Sequence, residues 1–328
     1  MMPGSRQKFV VIVRQKPILN DCFSLYSKFR MSLSRRHFLG SMGALAFGGM
    51  MAPGAAHAVS LMDPFNVPAA MDSGSLKLGD GIPYAGGPRG LLDVYVPRNP
   101  RGRAPVLQFI YGGGWNRGER ADYNFVGHAY ASRGFVTVIG DYRLVPEVTY
   151  PAFLYDAAVQ AKWIEDNIGA FGGDANKLYL AGHSAGAYNA VMLGLDPAFF
   201  REARVSLKIR GIAGLAGPYD FYPFEYNEVR EAFGYAANPE GTQPVRLVNE
   251  NSPPMFLASG LGDPIVRPIN TETLAARLRE HNVPVDERYY DGIGHMEIVT
   301  SIGAMLRWRA PVLEDTVNFF ASLGALDA

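Results

Sequence analysis

The sequence predicts an α/β fold, a mostly parallel sheet flanked by helices, and three observations predict it. Short apolar runs rich in β-branched residues alternate with segments of helical period. The intervening helices have the roughly 10–15 residues of a parallel crossover. The body of the chain is also large and apolar enough to bury one core.

The 328 residues are 48% hydrophobic and 19% charged, with 31 basic against 31 acidic side chains, which excludes a disordered chain. The zero balance hides an asymmetry. Residues 1–58 carry eight of the basic residues and a single acid, Asp21, so residues 59–328 hold 23 basic and 30 acidic, a net charge of −7. An acidic body argues against nucleic acid and other polyphosphates as partners. The sole cysteine, Cys22, lies in the front segment, so the body is without disulfides, Cys-ligated zinc or thiol catalysis.

In order along the body, residues 91–96 read as a strand and 106–110 as a second, which ends in Gly112-Gly113-Gly114. Residues 123–132 suit a helix and 135–139 a strand. Residues 152–168 form a helix with apolar residues at Phe153, Ala157, Ala161 and Ile164. A short buried strand at 177–181 leads into a helix at 185–195. Three further strands at 209–215, 255–259 and 285–290 are separated or followed by helices at about 271–281 and 310–323. Residues 218–250 break the alternation, with seven aromatics between Tyr219 and Tyr235 and no clean strand. They predict a small aromatic cap inserted in a single domain spanning 59–328. In such sheets functional groups gather at the carboxyl ends of the strands.

The front of the chain reads as an address. Ser34-Arg35-Arg36-His37-Phe38-Leu39-Gly40 is followed by an apolar Gly/Ala-rich run and by Ala56-His57-Ala58. The order resembles a twin-arginine export signal cleaved after Ala58, and places the mature protein in the periplasm or outside the cell. The apolar run is too short and glycine-rich to span a bilayer, so no stable membrane insertion is expected. Met31 stands where such a signal starts, which makes residues 1–30 an expected over-extension of the reading frame.

Chemistry concentrates at four places. Gly182-His183-Ser184-Ala185-Gly186 lies between a strand and a helix, the context that gives G-x-S-x-G its meaning as a nucleophile turn. Tyr111-Gly112-Gly113-Gly114-Trp115 ends an upstream strand. Acyl transfer needs preorganised N–H donors for an oxyanion, and the backbone N–H groups of Gly113, Gly114 and Ala185 are the natural set. A phosphate loop is the rival, but no G-K-[ST] follows. Among the body's histidines, His128 and His281 fall in helices, and His183 sits inside the turn with its side chain directed away from Ser184. His295 remains, after the strand at 285–290, as the base. The acid should follow the preceding strand, which selects Asp263 over its rivals Asp220 and Asp291.

Together these residues resemble the α/β-hydrolase superfamily, in particular its carboxylesterase branch with an HGGGW oxyanion motif. That branch includes acetyl-esterase-like, hormone-sensitive-lipase-like and kynurenine-formamidase-like proteins. Leu92-Asp93-Val94-Tyr95, Asp141-Tyr142-Arg143-Leu144-Val145-Pro146-Glu147 and Phe171-Gly172-Gly173-Asp174 match further strings of the branch. Tyr111 departs from it, standing where the family has histidine at a supporting position. The resemblance implies the α/β-hydrolase fold, no metal and no organic cofactor.

The expectation is a serine hydrolase of carboxylic esters acting through Ser184, His295 and Asp263 on a small-molecule ester. Tyr111, Trp115 and Tyr188 from below, with Phe221 and Tyr222 from the cap, are expected to line an aromatic pocket that favours short acyl groups. An arylformamidase-like or other amide hydrolase is the alternative. An inactive hydrolase-fold binding protein is the third reading, disfavoured because all three triad residues are present. The oligomeric state leaves no mark in the sequence.

Overall fold

The computed structural model describes residues 62–66 and 71–326. The export signal and its cleavage site lie outside the described residues. Among the described residues, the apolar runs assemble into one sheet of eight strands. These are β1 (Ser75–Pro83), β2 (Leu91–Pro97), β3 (Ala104–Ile110), β4 (Val136–Gly140), β5 (Gly173–His183), β6 (Ile209–Leu215), β7 (Met255–Gly260) and β8 (Val285–Tyr290). Their order across the sheet is β1-β2-β4-β3-β5-β6-β7-β8. β2 is antiparallel to both of its neighbours, and every pairing from β4 onward is parallel. This is the α/β-hydrolase architecture that the sequence predicts.

The helices are α1 (Asp63–Asn66), α2 (Asn124–Ser132), α3 (Ala152–Asn167), α4 (Ala185–Leu195), α5 (Ala198–Glu202), α6 (Asn227–Phe233), α7 (Ile269–Glu280), α8 (His295–Thr300) and α9 (Val312–Ser322). α3 and α4 pack together on one face of the sheet, while α2 and α9 meet on the other. Covered on both faces, β3 and β4 have no residue exposed to solvent, the pattern of central parallel strands. From β3 the chain turns outward to β4, then returns past β3 to β5 and continues the opposite way to β6. The carboxyl ends of β3 and β5 therefore flank the switch point, where open α/β sheets place their ligands. None of the described helices is long and apolar enough to cross a membrane.

Three differences from the expected elements have local causes. β1 is missed because Gly79-Asp80-Gly81 reads as a turn, whereas the strand carries two register shifts against β2 at just those residues. β5 begins at Gly173 rather than 177, since its polar first residues still pair with Ala104 and Pro105 of β3. Residues 295–300, given no element in the sequence reading, form α8. The cap holds α6 and two single 3₁₀ turns, with no strand among its described residues.

Candidate active site

The site starts from a strained turn. Ser184 joins β5 to α4 with φ 56° and ψ −124°, a conformation that costs a non-glycine residue about 1–3 kcal/mol. Close packing explains the glycines on either side. A Cβ on Gly182 would overlap the carbonyl oxygen of Gly186, and one on Gly186 would overlap the carbonyl oxygens of Ile110 and Tyr111. The turn is therefore pressed against the end of β3, and only glycine fits at either flank. Ser184 N–H donates to the Leu215 carbonyl at 2.9 Å, which ties the turn to β6 as well.

The Ser184 hydroxyl lies 2.9 Å from His295 Nε2, and His295 Nδ1 lies 2.7 Å from Asp263 Oδ2. A ring nitrogen facing a carboxylate carries the proton, so Nδ1–H donates to Asp263 and Nε2 accepts from Ser184. The other carboxylate oxygen, Oδ1, accepts from the backbone N–H groups of Ile265 and Val266, both at 2.9 Å. Burial alone would raise the Asp263 carboxyl. The His295 hydrogen bond and charge, with the two backbone donors, outweigh it and hold the group below its ordinary value. The ionised form therefore stabilises the fold at neutral pH, and that contribution is lost as pH falls through the lowered folded value. Asp220 and Asp291, the rival acids, are both exposed, and the His295 Nδ1 hydrogen bond goes to Asp263 instead.

The glycine loop is seated directly over this turn. A Cβ on Gly112 would come within 2.9 Å of Ser184 Cβ. Gly113, Gly114 and Trp115 follow with φ of 131°, 60° and 60°, and a Cβ on Gly113 would overlap the Arg117 carbonyl. The backbone N–H groups of Gly113, Gly114 and Ala185 make no hydrogen bond to any described residue. They are donors left open beside Ser184, the arrangement an oxyanion requires.

The expected pocket needs correcting. Tyr111 is fully buried and presents no wall to a substrate. Its hydroxyl is 2.6 Å from Arg89 Nη2 and 3.1 Å from Asp141 Oδ1, while the Tyr142 hydroxyl donates to the Tyr111 carbonyl at 3.0 Å. Burial above all, then the neighbouring Tyr142 and Asp141, push its pKa well up, so the hydroxyl remains a donor toward Asp141. Tyr188 is equally buried, with its hydroxyl on the Thr242 carbonyl at 2.8 Å. Trp115 is 3% exposed and gives its indole N–H to Asn189 Oδ1 at 3.1 Å. Buried as they are, these three side chains back the site rather than line it, and the polar atom of each is engaged there. Phe221 is half-buried, with its ring centre 6.2 Å from that of Trp115, and Tyr222 is 45% exposed at the cap surface.

Two groups escaped the sequence reading. His183, expected to point away from Ser184, does so, but it reaches the main-chain oxygen of His295 at 2.8 Å. Asp141 gathers Tyr111, the Arg120 N–H at 2.7 Å and Arg120 Nη1 at 2.6 Å around one buried carboxylate. The available signal for Asp141 is an acid at the carboxyl end of a mostly apolar strand, a position where a charge has to be paired.

The sequence matches the BD-FAE family over residues 92–278, more than half of the chain. The chain belongs to the BD-FAE family. Among curated relatives it is 36% identical over 142 residues to a probable isoprenylcysteine alpha-carbonyl methylesterase of Oryza sativa subsp. japonica, covering 42% of this chain and 34% of that protein. It is 29% identical over 216 residues to Esterase LipC of Mycobacterium tuberculosis, 60% of this chain and 54% of the relative. The chain thus spans about a third to a half of the length of these relatives. Among solved structures, Esterase B from Lactobacillus rhamnosis superposes with a TM-score of 0.65 at 18% identity, covering 80% of this chain and 92% of that one. This family member therefore shares its fold with esterases of known structure.

Proposed function

We propose that this BD-FAE family member hydrolyses carboxylic esters by nucleophilic catalysis. The carrying observation is the hydrogen-bonded chain Ser184–His295–Asp263, at 2.9 and 2.7 Å, set beside open backbone donors. Ser184 Oγ attacks the acyl carbon while His295 Nε2 takes its proton, and the oxyanion forms against the N–H groups of Gly113, Gly114 and Ala185. The carbon–oxygen bond to the alcohol then breaks, and the proton on Nε2 passes to the leaving alcohol. Water, deprotonated by the same nitrogen, attacks the acyl-enzyme and releases the acid. Asp263 holds the imidazole in the Nδ1–H form and stabilises the imidazolium without taking the proton. The esterase names of the relatives support this reading.

Short acyl groups are the proposed substrates. Trp115, Tyr188, Phe221 and Phe233 pack with ring centres about 5–6 Å apart, so the cap fills much of the space above the loop with its own rings. A relative from Dothistroma septosporum, 28% identical over 244 residues, is named versiconal hemiacetal acetate esterase, and its name points the same way. Measured kcat/KM over p-nitrophenyl esters from acetyl to palmitoyl should peak between acetyl and butyryl. A maximum at octanoyl or longer would overturn the acyl preference while leaving the esterase reading intact.

Export through a twin-arginine signal is proposed on Arg35-Arg36 and the run that follows. Lys-Lys at these positions should hold the protein, uncleaved, in the cytoplasm, whereas the wild-type mature chain should begin near Val59. A mature N-terminus at Met31 would refute the cleavage.

A further inference from the structure

His183 is a buried titratable side chain that the hydrolytic mechanism leaves unused. It closes β5 and is joined by one peptide bond to Ser184, and its side chain is enclosed by the fold. Its Nε2 lies 2.8 Å from the main-chain oxygen of His295, and the two rings sit with centres 4.9 Å apart at 44°. A carbonyl can only accept, so Nε2 carries the hydrogen and donates. Nδ1 is buried without a partner, which suits a bare lone pair and would not suit a second N–H. Burial first, then the nearness of His295, push the His183 pKa down to about 3, so the ring is neutral over the range in which an ester hydrolase works.

This contact closes a ring of connections. One path from Ser184 to the His295 backbone runs through its hydroxyl and the His295 imidazole. The other runs through the peptide bond to His183 and its Nε2–H. The first path must break and reform with each proton transfer, whereas the second involves no reacting atom. His295 is also the first residue of α8, a helix of only six residues.

We propose that His183 is a positioning residue: by donating Nε2–H to the His295 carbonyl, it sets the distance of the catalytic imidazole from Ser184. The proposal rests on the reading of Ser184 as nucleophile. A base displaced by about 1 Å costs on the order of 10²-fold in rate, so loss of the donor should appear in kcat while KM, set elsewhere in the cleft, stays near its wild-type value.

The test is a matched pair. Glutamine places an amide N–H₂ near the position of Nε2, and methionine has nearly the same length without a donor. With p-nitrophenyl acetate, His183→Met should lose kcat by about 10²-fold at little-changed KM, and His183→Gln should recover at least roughly a tenfold part of that loss. The rate of covalent labelling by a fluorophosphonate should follow the same order. Equal activity in the Gln and Met variants would overturn the proposal, as would a Met variant as active as wild type. If the Met variant does not fold, the Gln variant still decides it: a folded His183→Gln as inactive as Ser184→Ala removes the donor's role. A wild-type protein that neither turns over esters nor takes the label would fail the esterase reading itself, and the proposal with it.

Discussion

Ser184→Ala is expected to fold as the wild-type chain does and to lose kcat by about 10⁴-fold or more, with little change in KM. The fold should tolerate it because the side chain contributes one hydrogen bond, to His295 Nε2, worth about 1 kcal/mol. Alanine keeps the Cβ, so the strain at φ 56° is neither relieved nor increased. The chemistry should not tolerate it, because a base without its nucleophile leaves only the open donors of the glycine loop to act on the ester. Hydrolysis of p-nitrophenyl acetate and fluorophosphonate labelling, read beside a thermal melt, check all three points. A variant that folds and keeps more than about a tenth of the wild-type kcat would transfer the nucleophile's role away from Ser184.

Which parts of the molecule could be read from the sequence follows from what each depends on. α4, β6 and β8 occupy the residues expected of them. β1 could not be read, because its Gly79 is chosen by a tertiary contact: a Cβ there would crowd Ile82 and Val94. At the site, chain order and strand ends single out Ser184, Asp263 and His295 from a few candidates for each role. The structure brings those three side chains together. The partners behind them could not be named. The acceptor of His183 is a backbone carbonyl 112 residues away, and the acceptor of Tyr111 is a carboxylate at the end of a different strand. Tyr111, Trp115 and Tyr188 read as pocket residues in the sequence because aromatic residues beside such motifs suit both a wall and a foundation. Only the burial of all three and the partners of their polar atoms separate the two roles.

That foundation carries the second large expected effect. Asp141 is 3% exposed, and its carboxylate accepts from the Tyr111 hydroxyl and from two donors of Arg120, with Arg89 Nη2 at 3.8 Å. Arg120 also clamps Asp93, whose second oxygen faces Lys77 at 2.9 Å, so three cations surround two buried acids. Asp141→Ala removes one acid and leaves the cations in place. Breaking a buried pair from one side costs about 3–5 kcal/mol, and the lower end applies because the two guanidinium groups keep some contact with water. For a domain of this size the melting temperature should fall on the order of 10 °C. Activity should fall further than stability explains, because the Tyr111 hydroxyl that anchors the start of the glycine loop loses its acceptor. Each oxyanion donor that drifts out of place costs about 10²–10³-fold in kcat. Glu280→Ala is the control: its carboxylate and its partner Arg277 are 62% and 43% exposed, so that pair should contribute no more than about 1 kcal/mol and its loss should leave kcat unchanged. A melt of Asp141→Ala within a few degrees of wild type, with kcat intact, would mean that the loop is held by its glycine packing alone and that Tyr111 needs no partner.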